Sequence, residues 1–131
     1  MSGMFEDCYS LIELNISNFD TAEVKDMSLM FKECHSLTKL DVTHFDTSNV
    51  EDMSGMFEAC VGLISLDLSN FDTSSVVNME RMFLGSANLT YLDLSGWDTS
   101  NVENMSWMFA TCRALTELDL SSFTSKRVET M

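Results

Sequence analysis

The 131-residue chain contains no proline, where average usage is about 5%. No segment is therefore set by a fixed-φ ring, and the absence points to one backbone motif used many times over, without irregular loops. Basic residues are also scarce, with seven Lys and Arg against twenty-one Asp and Glu, a formal charge of −14. A field of that sign repels nucleic acid and anionic membranes at long range, so a charged partner is expected to be cationic. No stretch reaches the ~18–20 continuous apolar residues of a membrane span, and no basic region precedes an apolar run at the N-terminus. Membrane insertion is not expected. Missing too are a glycine-rich phosphate loop, a Cys-His pair with a supporting acid and any zinc spacing, so neither an enzyme nor a cofactor site is expected.

What the chain has in excess is repetition. Methionine stands at 1, 27, 53, 79, 105 and 131 and again at 4, 30, 56, 82 and 108, two series with a period of 26. Phe5, Phe31, Phe57, Phe83 and Phe109 follow the second series, and Leu11 and Leu14, Leu37 and Leu40, Leu63 and Leu66 continue the register. Five units, residues 1–26, 27–52, 53–78, 79–104 and 105–130, account for the chain up to Met131 without insertion or deletion. They are taken as a single solenoid domain over 1–131. Its core-type ends, Met1, Met4 and Phe5 at one and Met131 at the other, suggest an excerpt of a longer array. Such ends are expected to meet further repeats, another chain or each other, because solenoid ends need polar caps to stay soluble.

Within a unit the apolar spacing changes. From Met53 it runs i, i+3, i+4, i+7, which predicts a helix of about two turns, with Asp52 (Asp26, Asn78 and Asn104 elsewhere) as its N-cap. From Leu66 the spacing becomes two, through Asp67, Leu68 and Ser69, which predicts a short strand with Leu inward and Asp and Ser outward. Asp72 opens the turn that follows, accepting a hydrogen bond from the N–H two residues on. Stacked in register, such units form an α/β right-handed solenoid, with a parallel sheet on one face and short helices on the other.

The Met and Cys of each unit share one helical face, and three sulfurs there raise the question of a soft-metal site. Ser86 replaces the cysteine in the fourth unit, which fits small-residue packing better than thiolate ligation, so the sulfurs are read as core. Helices 8–10 Å apart hold their cysteines beyond the ~7 Å reach of a disulfide, so free thiols are expected. His35 and His44 match no histidine in other units and are read as surface residues.

Three outward files remain. Asp41, Asp67, Asp93 and Asp119, continuing Asn15, form an acidic stripe that is a weak divalent-cation candidate, though a flat file supplies calcium's six to eight oxygens poorly. Thr21, Thr47, Thr73 and Thr99 form a regular threonine file, but the neighbouring Asp and the lack of a second Thr rank argue against an ice- or mineral-binding surface. Glu13, Lys39, Ser65, Tyr91 and Glu117 are the least alike of the outward strand positions. Partner specificity is expected where units differ on a fixed scaffold, and Tyr91 is the kind of residue that forms hot spots.

The run Leu63-Ile64-Ser65-Leu66-Asp67-Leu68-Ser69-Asn70-Phe71 resembles the strand segment of a leucine-rich repeat. With the M-S-x-M-F-x-x-C and L-D-L-S-x-F-D-T-S blocks and the 26-residue length, the whole chain resembles the BspA-like leucine-rich repeats of bacterial surface proteins. The fifth unit departs from the pattern, losing its Asp-Thr-Ser turn across Ser122 to Arg127. The resemblance implies a cell-surface or secreted protein that acts in adhesion, binding a protein or glycan through the concave sheet face, without catalysis. A spacer that projects another domain is the alternative.

Overall fold

The computed structural model describes residues 1–124 and 126–130. Ser125, in the altered turn of the fifth unit, and the core-type Met131 lie outside it. The five units wind as coils 1 to 5, each laid on the next in the 26-residue register. Parallel bridges run in one column from Asp26 to Asp52, Asn78, Asn104 and Thr130.

The expected α/β leucine-rich-repeat architecture is overturned at both faces. Among the described residues there is no helix and no continuous sheet. The M-S-x-M-F-x-x-C block is a ribbon of overlapping turns. In coil 2, the N–H groups of Met30, Lys32 and Cys34 close turns on the carbonyls of Met27, Leu29 and Phe31, at 3.3, 3.1 and 3.2 Å. Leu29 (φ 58°) and Glu33 (φ 58°) sit third in two of those turns, where positive φ marks a type II turn. The same two registers are left-handed in every coil, at Gly3, Leu29, Gly55, Arg81 and Trp107 and at Asp7, Glu33, Ala59, Gly85 and Thr111. No right-handed helix passes through such residues.

Left-handed backbone costs about 1–2 kcal/mol wherever a side chain is carried. The offsetting gain is in the intervening amides. Leu29, Phe31 and Glu33 donate to Ser54, Met56 and Glu58 of coil 3 at 2.8, 3.0 and 2.7 Å, and the pattern repeats between every pair of coils. A helix would spend those N–H groups inside its own segment. At Gly55 a Cβ would stand 2.6 Å from Leu29 Cδ2 of the coil below, so a side chain there would require that leucine tip to shift.

On the other face the predicted strands do not pair. Among the described residues a single bridge, Ser65 to Tyr91, joins the L-x-x-L-D-L segments, supported by Thr90 N–H on the Ile64 carbonyl at 2.9 Å. The outward Asp prevents a ladder. Asp67 Oδ1 takes the Ser69 N–H at 3.0 Å and its hydroxyl at 2.7 Å, and Phe71 N–H then closes a turn on Leu68. The chain bends within three residues of Leu66, and the amide a strand would have offered its neighbour is already bonded.

The core lies between these faces. Phe5, Phe31, Phe57, Phe83 and Phe109 form one stack, with successive ring centroids 5.7–5.8 Å apart and planes within 10° of parallel. Met27, Met30, Met53, Met56, Met79 and Met82 pack around it, fully buried. The threonine file is buried as well, at 1–2% exposure, which removes it as a surface. Each hydroxyl clamps two coils: Thr73 Oγ1 donates to the Asp98 carbonyl at 3.0 Å and accepts the Asp98 N–H at 2.9 Å. The same clamp closes at Thr21, Thr47 and Thr99.

Candidate functional site

Asp or Asn side chains that accept the N–H of the residue two positions on bend the chain at three recurring registers. Asp72 accepts the Ser74 N–H at 2.9 Å, as its position in the sequence predicts. Asp52 likewise accepts the Ser54 N–H at 2.8 Å, but it opens the turn ribbon and caps no helix. The third corner belongs to Asp41, Asp67, Asp93 and Asp119, which take the N–H groups of Thr43, Ser69, Ser95 and Ser121 at 2.8–3.1 Å. These corners set the exposed face of the L-x-x-L-D-L segments.

All five residues of the variable register, Glu13, Lys39, Ser65, Tyr91 and Glu117, are exposed on that face. The expected concave sheet is replaced here by bent segments with shallow depressions between coils. Lys39 and Ser65 line one of 420 Å³ together with Asp41 and Asp67. Ser65 and Tyr91 line a second of 410 Å³ with Asp67 and Asp93. Ser65 is thus shared, while Glu13 and Glu117 lie outside both depressions, one coil further toward each end. Tyr91 is 60% exposed despite its size, and Ile64 is 59% exposed beside the Ser65–Tyr91 bridge. Ile64 escaped the sequence reading. Its signal is the matching Ile12, also exposed, in a register that otherwise holds Thr38, Thr90 and Thr116.

The carboxylates of the acidic file are held below the usual carboxylate range. The cause is the hydrogen bonds each receives: at Asp41 and Asp67 the hydroxyl of the residue two positions on acts most strongly and its N–H next. Mutual repulsion works the other way, Asp41 on Asp67 and both Asp67 and Asp119 on Asp93. The file stays ionised at neutral pH. It forms no metal cage: among the described residues no group of three or more His, Cys, Asp and Glu side chains converges as an ion would require. Asp41, Asp67, Asp93 and Asp119 are turn-forming carboxylates, each with one oxygen already engaged.

The sulfur file is likewise structural. Cys34, Cys60 and Cys112 donate their S–H to the carbonyls of Phe5, Phe31 and Phe83 in the preceding coil, at 3.2, 3.0 and 3.1 Å. Ser86 makes the same bond, to Phe57 at 2.7 Å, so the fourth unit keeps the donor and changes only the atom. Cys8, Cys34, Cys60 and Cys112 are all free thiols. Burial pushes the Cys34 thiol up to about 11 and Cys60 higher still, so both are protonated thiols at neutral pH. Both histidines are exposed. His44 Nε2 lies 3.0 Å from the Ile16 carbonyl, and His35 packs its ring 5.1 Å from that of Tyr9.

Among the described residues no helix is long and apolar enough to cross a membrane. No curated protein and no solved structure matches the chain. Two overlapping spans, residues 1–65 and 37–131, match the family described as "Mycoplasma protein of unknown function, DUF285". The two spans together cover the chain from end to end, and the protein belongs to this DUF285 family.

Proposed function

We propose that the chain is a non-catalytic interaction module of a cell-surface or secreted protein, which binds a protein or glycan through the face that carries Lys39, Ser65 and Tyr91. One observation carries this reading: within the L-x-x-L-D-L segments the register that differs most between units, Glu13, Lys39, Ser65, Tyr91 and Glu117, stands exposed on one face, while the Met, Phe and Leu registers that repeat are buried or half-buried in the inner coils. An aromatic with free edges, a lysine and hydroxyls lie along shallow acidic depressions there. That chemistry suits an extended partner with cationic or hydroxyl groups better than a small molecule that needs an enclosed cavity. The likeness of the L-D-L-S-x-F blocks to surface-protein repeats points the same way.

The spacer reading finds its support in the uniform bonding between coils, which would serve a projecting rod equally well. One substitution separates the two. The immobilised 131-residue chain is screened against glycans and extracellular proteins, and every ligand found is remeasured with Tyr91→Ala. Truncating a hot-spot aromatic weakens binding by ~30-fold or more. Unchanged affinity for all ligands, or no ligand at all, refutes binding at this face and leaves the spacer.

A further inference from the structure

Two packed helices would hold Cys34 and Cys60 too far apart for a disulfide, but the blocks that carry them are ribbons of turns, and their coils lie much closer. Phe31 and Phe57, three residues before each cysteine, stack with ring centroids 5.7 Å apart and planes 8° from parallel. The bridge between Asp26 and Asp52 opens the same two blocks, and bridged parallel segments lie roughly 4.8 Å apart. That spacing falls within the roughly 4.4–6.8 Å of Cα separation that a disulfide spans.

The side chains meet as well. Cys60 Sγ donates to the Phe31 carbonyl at 3.0 Å, and the same carbonyl receives the Cys34 N–H at 3.2 Å. The Cys34 N–H also points to the Cys60 sulfur, as the Cys60 N–H points to Ser86 Oγ at 3.2 Å one coil on. Cys60 Sγ therefore sits against the backbone of Cys34. Cys34 Sγ is turned the other way, onto the Phe5 carbonyl at 3.2 Å, and a change of χ1 rotamer turns it toward coil 3.

Ser86 fixes the partner of Cys60. With serine at this register in coil 4, Cys34 is the only cysteine in a coil adjacent to coil 3. Cys112 stands two coils from Cys60, at about twice the coil spacing and beyond the ~7 Å limit for a bridge. Cys34 and Cys60 are both fully buried, in coils bonded to a neighbour on each side.

We propose that Cys34 and Cys60 close a disulfide between coils 2 and 3 when the chain folds in the presence of a low-molecular-weight disulfide. One cysteine thiolate attacks the small disulfide, which forms a mixed disulfide and releases one small thiolate. The second cysteine attacks the protein sulfur of that bond, so that the Sγ–Sγ bond forms and the other small thiolate is displaced. The pair loses two electrons and two protons, and the oxidant leaves as two thiols. The exchange belongs to folding, because the finished stack keeps both sulfurs protonated and away from solvent. Once formed, the bond is shielded from reductant by the same burial.

Refolding from urea with oxidised glutathione tests this, the links being read by mass spectrometry of the proteolysed, alkylated chain. Cys8→Ser with Cys112→Ser leaves only the proposed pair, whereas Cys8→Ser with Cys34→Ser leaves Cys60 and Cys112. Serine already serves at this register as Ser86, so both variants are expected to fold, which circular dichroism checks. The first is expected to lose two thiols and two hydrogens as a monomer, with a urea midpoint above that of the same variant refolded in dithiothreitol. The second is expected to keep both thiols free. In the unsubstituted chain a peptide linked through Cys34 and Cys60 is expected. Free thiols, mixed disulfides or linked dimers alone in the first variant overturn the proposal. Equal pairing in the second variant also overturns it, since the bond would then reflect the disordered chain and not the coil register. So does an unsubstituted chain whose only link joins Cys8 to Cys34.

Discussion

Between coils 2 and 3, the block that begins at Met27 sends the N–H groups of Leu29, Phe31 and Glu33 across to coil 3. The segment from Leu40 to Thr43 sends none: the Thr43 amide is taken by Asp41 of its own coil, and no other amide there has a backbone acceptor in coil 3. One side of each coil is therefore committed to its neighbours through the backbone. The other is held by its buried leucines, its corner carboxylates and bonds such as Asn70 Nδ2 on the Thr43 carbonyl. A face whose backbone is not committed to a ladder tolerates bulk, charge and hydroxyls at 39, 65 and 91 without disturbing the stack. That freedom is what a recognition surface needs.

The sharpest break in this contrast comes from the committed side. Phe57 is third of the five stacked rings, 1% exposed, with neighbours at 5.7 and 5.8 Å. Phe57→Ala removes it from both, leaving a void between coils whose backbones are already fixed by hydrogen bonds and cannot collapse. A loss of ~3–5 kcal/mol is expected in urea unfolding. Tyr91→Ala on the open face is expected to change stability by less than about 0.5 kcal/mol. Similar losses at the two positions would mean that the open face carries as much of the fold as the ring stack does.

A middle-sized effect is expected at the threonine clamp, on the boundary between the two sides. Thr73→Val keeps the shape and deletes the hydroxyl, so the Asp98 N–H and carbonyl lose their partner together. An amide left unsatisfied in a part-buried site costs ~1–3 kcal/mol. Faster hydrogen exchange at Asp98 but not at Leu29 would place the damage at the clamp alone. Equal acceleration at both amides would show that the two sides unfold as one unit.

The period, the register and the buried positions were legible in the sequence, because stacking like on like demands that Met, Phe, Leu and Val recur at fixed places. The turn at Asp72 was legible for the same reason. The backbone of the M-S-x-M-F block was not. A helix and a ribbon of overlapping turns both return a side chain to the core every three or four residues, so Met53, Met56, Phe57 and Cys60 fit either. Asp52 followed by Ser54 serves equally as a helix cap and as a corner. The only trace of left-handed backbone was glycine at 3, 55 and 85, in two registers otherwise filled by Leu29, Arg81, Trp107, Asp7, Glu33, Ala59 and Thr111. Five copies of one glycine would have been decisive. At the candidate site the variable register could be read directly, since difference between units is visible in sequence. The depressions could not, because they depend on Asp67 and Asp93 bending the chain before a strand can form.

The smallest effect is expected at Ser86, and it tests what the sulfur file is for. If the file only fills space, Ser86→Ala and Ser86→Cys should differ by volume, with Ala tolerated and Cys crowded. If the file exists to donate to the preceding carbonyl, the order reverses. The Phe57 carbonyl receives the Ser86 hydroxyl at 2.7 Å, in a position where Cys34, Cys60 and Cys112 place a thiol 3.0–3.2 Å from its equivalent. Ser86→Cys restores the donor used in the other coils and should change stability by less than about 1 kcal/mol, a volume-tolerant swap in a core built for sulfur at this register. Ser86→Ala removes the only side-chain donor to that carbonyl among the described residues and should cost about 1–2 kcal/mol. Urea melts of the two variants decide the matter. An alanine variant as stable as the cysteine variant would reduce the file to packing, and the hydrogen bonds between coils would then rest on the turn ribbon and the threonine clamps.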